Sequence, residues 1–196
     1  VTRLGIAIGV SAYGDWLTTV AVAVGLFRLT ASVTAPALAI LVRVLPRAPG
    51  SAAGGRLADR FGAHRVLVAS LGAQAATTLL LGICLGVGAI GASLATLAIC
   101  QAIGAAAQPA LMATIPTLAG PESVRQVTSL LTLIRATAVV AGPAAAGLGL
   151  LLATPTALVV ADAATFLVAT MLLAATPGRA SPTVPLARPT SALGDP

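Results

Sequence analysis

The chain has 196 residues, of which 58% are hydrophobic and only 8% charged, and its mean hydropathy is +1.02. A soluble domain carries about 25% charged residues, so this composition excludes a water-covered globule and makes lipid the solvent. The net charge of +6 does not point to nucleic acid, because the arginines stand singly between apolar runs without a basic stripe or interleaved aromatics.

A membrane-crossing helix needs about 20 predominantly apolar residues. On that rule the sequence predicts an all-α, polytopic membrane protein with six transmembrane helices. The first span covers 4–27. It exceeds the ~7–15-residue core of a signal peptide and Asp15 interrupts it, so a retained helix is expected. Arg28 opens the exit loop 28–34, and the second span covers 35–57. Pro36 suits its first turn, whereas Pro46 and Pro49 fall inside it and predict kinks. The third span covers 66–85, a Gly-rich turn follows over 86–91, and the fourth covers 92–115 with a bend at Pro109. A polar loop over 116–125 leads to the fifth span, 126–152. Within it Gly142, Pro143 and Gly147 predict a pivot, since proline removes a backbone donor and glycine permits bending. Ala153-Thr154-Pro155 is the next turn, and the sixth span ends near Thr176. Residues 1–176 thus form one six-helix domain. Residues 177–196, rich in Pro, Ser, Thr and Arg, form a flexible cytoplasmic tail or linker.

Six spans place both termini on one side of the bilayer. Arg3, Arg56, Arg60, Arg65, Arg125, Arg179 and Arg188 fall on that side, and Arg28 alone falls opposite. The bias makes the termini and the 55–65 loop cytoplasmic, in a multi-pass protein of the cell membrane. Small-residue pairs, Gly5 with Gly9 and Gly82 with Gly86, predict close helix packing. Cys84 and Cys100 sit in apolar runs without ligand-like neighbours, which argues against a disulfide framework or a metal site. No Ser/His/Asp set, Cys/His cluster or phosphate loop occurs. Neither an enzyme nor a cofactor is expected.

Five charges remain at membrane depth: Asp15, Arg43, Arg47, Arg135 and Asp162. Each costs at least ~2.5–3.5 kcal/mol there unless it is paired or hydrated. At 1.5 Å per residue, Asp15, Arg47 and Arg135 fall about 14–17 Å from the cytoplasmic ends of their helices, and Arg43 and Asp162 about 21 Å. The first three therefore cluster near the midplane of a core about 30 Å thick. Arg43 and Arg47, four apart, share one helix face. Two readings follow: a water-accessible cavity that holds substrate or relays protons, or buried ion pairs that fix helix packing. For the cluster the cavity role is the stronger; if Asp15 does pair, Arg47 and Arg135 are its two candidate partners, and for Asp162 alone the packing role is the stronger.

The loop Gly55-x-x-x-Asp59-Arg60-x-Gly62-x-x-Arg65, between two spans, resembles the loop between helices 2 and 3 of major facilitator superfamily transporters. It departs from that signature at Ala63, where an arginine is usual, and at His64. The resemblance implies that Gly55 lets the second helix pack on the opposite half of the transporter. It also implies that Asp59, Arg60 and Arg65 make the charge contacts of a cytoplasmic gate. Gly142-Pro143-x-x-x-Gly147 is similar to the fifth-helix motif of the family's antiporters, with Ala138 and Ala146 replacing two glycines. Together with Gly14-Asp15, Gly104 and Pro109, it looks like the macrolide- and siderophore-exporting branch. The fourth-helix arginine of many proton-coupled exporters is Cys100 here, so the resemblance does not carry proton coupling to this chain. What it implies is the amino-terminal half of a twelve-helix fold, exporting an amphipathic small molecule. Its expected partners are the bilayer, that substrate and a second six-helix half, in the same chain or another subunit. A structural or assembly role without transport, or an inert truncated half-transporter, is the alternative.

Overall fold

The structure, a computed structural model, describes residues 2–120 and 123–175, so the tail expected over 177–196 lies outside the described residues. Every element among them is a helix: α1 (Thr2–Thr30), α2 (Thr34–Val44), α3 (Arg47–Phe61), α4 (Ala63–Gly86), α5 (Ile90–Ala119), α6 (Val124–Leu152) and α7 (Pro155–Ala174). Five of these, α1, α4, α5, α6 and α7, are long and apolar enough to cross a membrane. Helices suit that solvent because they satisfy their backbone polar groups internally.

The second expected span departs from the prediction of one kinked helix. It is two helices, of 11 and 15 residues, joined at Leu45-Pro46. Pro46 has no N–H to give the carbonyl four residues back, and its ring crowds that carbonyl. The ladder closes with Leu45 N–H on Leu41 O at 3.1 Å and restarts with Gly50 N–H on Pro46 O at 3.0 Å. Pro49 lies in the first turn of α3, where a missing donor costs nothing.

α5 also departs from expectation, running through Pro116 to Ala119 rather than ending at Ile115. Gly120 stops it, with φ 76 and its N–H on Pro116 O at 3.1 Å, a positive φ that glycine adopts without steric cost. The α6–α7 turn falls where expected. Thr154 accepts from Ala157 N–H at 3.2 Å as an N-cap, and Pro155 occupies the first helical position.

α4 packs chiefly on α5 and α7, α1 on α7 and α6, and α3 on α5. Buried apolar side chains form two clusters. One joins Val66, Leu67 and Leu71 of α4 to Leu111 and Ile115 of α5, Val127 and Leu131 of α6, and Phe166 and Leu173 of α7. The other joins Val22 and Leu26 of α1 to Leu81 and Leu85 of α4, Leu97 of α5, and Leu158 and Val159 of α7. Outside these, large apolar side chains such as Val140, Leu148, Leu151 and Leu152 on α6 are exposed, a surface suited to hydrocarbon.

Candidate functional site

Along each of four helices, polar residues stand at or beside the step from one apolar cluster to the other. On α1 they are Asp15 and Thr18, on α4 Gln74 and Thr78, on α5 Cys100 and Gln101, and on α7 Asp162 and Thr165. The bundle therefore carries a polar layer between two apolar ones. Part of that layer is solid. Thr78 Oγ1 lies 3.3 Å from Cys100 Sγ. Asp162, 1% exposed, accepts from Thr18 Oγ1 at 2.6 Å and from Thr165 Oγ1 at 3.0 Å. Gly14 makes room for this carboxylate, since a Cβ there would run into Asp162 Oδ1 and into Thr165 Oγ1.

The rest of the layer is open. A cavity of about 900 Å³ lies between α1, α2, α3, α4, α5 and α6, with Leu173 of α7 at its wall, and Asp15, Arg43, Arg47 and Arg135 all line it. Four of the five embedded charges thus meet in one space although they come from four different helices. Asp162 is the correction: it does not line the cavity but is buried between α1 and α7, bonded to two threonines. Its hydroxyl partners satisfy the carboxylate and Gly14 admits it, so it is part of the packing.

Asp15 makes no ion pair with either candidate partner. Among the described residues no arginine stands at ion-pair distance from it. Arg135 Nη2 instead donates to Gln108 Oε1 at 2.8 Å, and the Arg43 guanidinium lies 5.7 Å from the centroid of the Trp16 ring, within cation–π range. Helix rotation decides these partners, and spacing along the chain does not determine rotation. Gln74, Gln101, Gln108 and Trp16 line the same cavity and were not singled out from the sequence. Their signal was available: three amides and the only tryptophan, embedded in apolar runs.

The predicted gate loop is a turn of one residue. α3 ends at Phe61, Gly62 takes φ 90, and α4 begins at Ala63. Asp59, Arg60 and Arg65 are exposed, and Arg60 lies 5.2 Å from the Phe61 ring centroid. No salt bridge holds Asp59 among the described residues. A Cβ on Gly55 would meet nothing within 4 Å. The glycines that bring α3 close to its neighbour are Gly50 and Gly54, where a Cβ would strike Ala102 O and Ala106 O of α5. That four-residue spacing matches Ala102 and Ala106 across the contact, a small-residue seam.

At the expected pivot, α6 continues through Pro143 as one helix. Gly142 is buried against Trp16, whereas Gly147 is exposed with nothing near its missing Cβ. Of the predicted packing glycines, Gly82 and Gly86 face Val160 and Thr156 of α7, Gly9 faces Ile134 of α6, and Gly5 meets nothing within 4 Å.

A helical bundle with an apolar exterior and a charged cavity set between two apolar layers has the build of a membrane transporter. The family model of the Major Facilitator Superfamily matches residues 4–194, and the chain belongs to that family. It is an integral membrane protein of a transporter family, not of an enzyme family. No curated protein and no solved structure matches it.

Proposed function

We propose that this chain is the amino-terminal half of a secondary-active transporter that exports an amphipathic small molecule across the cell membrane by alternating access. In this reading α2 and α3 together make the second of six crossings, with the Pro46 break inside it, and both termini are cytoplasmic. A second six-helix half, in the same polypeptide or another subunit, closes the open side of the cavity. Asp59, Arg60 and Arg65 then meet that half at the cytoplasmic gate, Gly55 lies against it, and the Gly142-Pro143-Gly147 segment bends between states.

One observation carries the reading: Asp15, Arg43, Arg47 and Arg135 come from four helices to line one cavity of about 900 Å³. Charges are expensive in a bilayer and typically mark a substrate or ion path, and the volume lies within the ~300–1,000 Å³ of small-molecule sites. The test is export from cells that carry the gene with its in-frame continuation or its partner half. Cells are loaded with fluorescent amphiphiles of negative, neutral and positive charge, and retention is compared with that of cells making Asp15→Asn. Lower retention of at least one dye, lost in the variant at equal abundance, is the expected result. Equal retention of every dye would sink the transport reading and favour a structural role.

A further inference from the structure

We propose that the cavity selects anionic amphiphiles. The carboxylate, sulfonate or phosphate head sits among Arg43, Arg47 and Arg135, and the apolar body lies along Leu67, Leu71 and Leu111. This deepens, and rests on, the reading of the cavity as a substrate site. Three guanidinium groups and one carboxylate line it, so the charge facing the space is positive. Asp15 acts on all three arginines and the buried Asp162 acts on Arg43 from outside the cavity, which leaves three positive charges against two negative ones. Arg135 is bonded to a neutral amide and Arg43 lies over an indole ring. Arg47 is exposed, makes no side-chain hydrogen bond among the described residues, and has Asp15 as its opposite charge across the cavity. Two are therefore held in place while keeping their charge, and the third, held by no hydrogen bond, can turn toward a ligand.

Buried amides point the same way. Gln74 and Gln101 are 6% and 9% exposed, line the cavity and make no side-chain hydrogen bond. Their polar atoms are not sealed in protein, unlike His64 Nδ1, which is buried without a partner. Each amide offers two N–H donors and one acceptor to whatever enters. Gly104 preserves the space beside Gln74, whose Nε2 would lie 2.9 Å from a Cβ placed there. Planar guanidinium forks and amide N–H groups match the oxygens of a carboxylate, sulfonate or phosphate. A cation entering the same space meets three like charges against one opposite, and a neutral molecule gains nothing from the arginines.

Trp16 supplies the readout, being the only tryptophan in the chain and part of the cavity wall. The full chain, in nanodiscs of neutral phosphatidylcholine, is titrated with 1-anilinonaphthalene-8-sulfonate and with N-phenyl-1-naphthylamine, a near-isostere without the sulfonate. Quenching of Trp16 should give a Kd for the sulfonate at least tenfold below that for the amine. Arg47→Gln with Arg135→Gln should weaken the sulfonate at least tenfold and leave the amine within threefold, while both lysine replacements retain most of the binding. Arg43 is left intact because it touches the reporter ring. If the double variant loses its helical circular dichroism, Arg47→Gln alone should still weaken the sulfonate threefold or more. Equal affinity for both probes, or indifference to the arginines, would overturn anion selection while leaving a substrate cavity. No quenching by either probe would overturn the cavity reading as well. Adding phosphatidylglycerol to the disc separates the sources of the head group: competition with the sulfonate assigns it to a lipid, and its absence to a soluble amphiphile.

Discussion

At Gly14 the absence of a side chain decides whether α1 and α7 can close on a buried carboxylate. A methyl group there would occupy space held by Asp162 Oδ1 and Thr165 Oγ1. Overpacking of this kind costs about 1–3 kcal/mol, so Gly14→Ala should lower the thermal midpoint of the purified protein, read by fluorescence-detected size exclusion after heating. Asp162→Ala removes the nearer of the two groups struck, but leaves the Thr18 hydroxyl without its acceptor, at a cost of about 1–3 kcal/mol. The double variant should therefore be less damaged than the two single effects predict together. Additivity to within about 0.5 kcal/mol would mean the two sites do not touch. At this scale the sequence exposed the charges and their approximate depth, which grouped Asp15, Arg47 and Arg135; the cavity brings Arg43 to the same three. The sequence did not expose their partners. Asp162 and Asp15 differ in whether their helix turns the carboxylate toward threonines or toward open space, and no spacing rule reports that rotation.

Among the elements, α3 shows how adjacent glycines divide two surfaces. Gly54 faces α5, where an added Cβ strikes Ala106 O, and Gly55 faces open space. Backbone carbonyls do not yield as side chains do. Gly54→Ala should therefore destabilise the bundle by roughly 1–3 kcal/mol, while Gly55→Ala should stay within about 0.5 kcal/mol. The same thermal assay checks both, and equal losses would mean that α3 is rotated from its described position. In the proposed two-half transporter, the bulkier Gly55→Leu should lower export while leaving abundance near wild type. Normal export by Gly55→Leu would remove this face from the interface between halves. Helix existence was legible because each apolar run has spanning length and a Gly or Pro turn beside it. The Leu45-Pro46 break appeared only as a kink, since Pro46 marks where the ladder fails but not whether it resumes in line. The continuation of α5 past Pro116 was hidden because Gly120, not the proline, stops the helix. The Gly50–Gly54 seam was readable at its four-residue spacing, yet the family signature drew attention to Gly55 instead.

For the whole molecule, the proposed orientation rests on the distribution of arginines. Arg56, Arg60, Arg65 and Arg125 are exposed and adjoin the apolar cluster that contains Val66 and Val127; Arg28 is exposed and adjoins the cluster that contains Leu26. Among the described residues, four positive charges therefore stand at one end of the bundle and one at the other. Excess Lys and Arg in short loops is retained on the cytoplasmic side, and reversing the bundle would move four charges through the bilayer for one. An anionic inner leaflet adds about 1 kcal/mol for each basic residue near its surface, which favours the same orientation. Single cysteines test it. In a background with Cys84→Ala and Cys100→Ala, Val33→Cys lies at the α1–α2 turn and Phe61→Cys at the α3–α4 turn, positions 75% and 51% exposed. A membrane-impermeant maleimide applied to intact cells should label Val33→Cys and spare Phe61→Cys until the membrane is permeabilised. The background itself needs a control, because Cys100 is buried against Thr78, so its abundance must match wild type before labelling is read. Labelling of Phe61→Cys in intact cells, with Val33→Cys protected, would invert the topology. The Asp59 loop would then face outward, and its assignment to a cytoplasmic gate would fall with it.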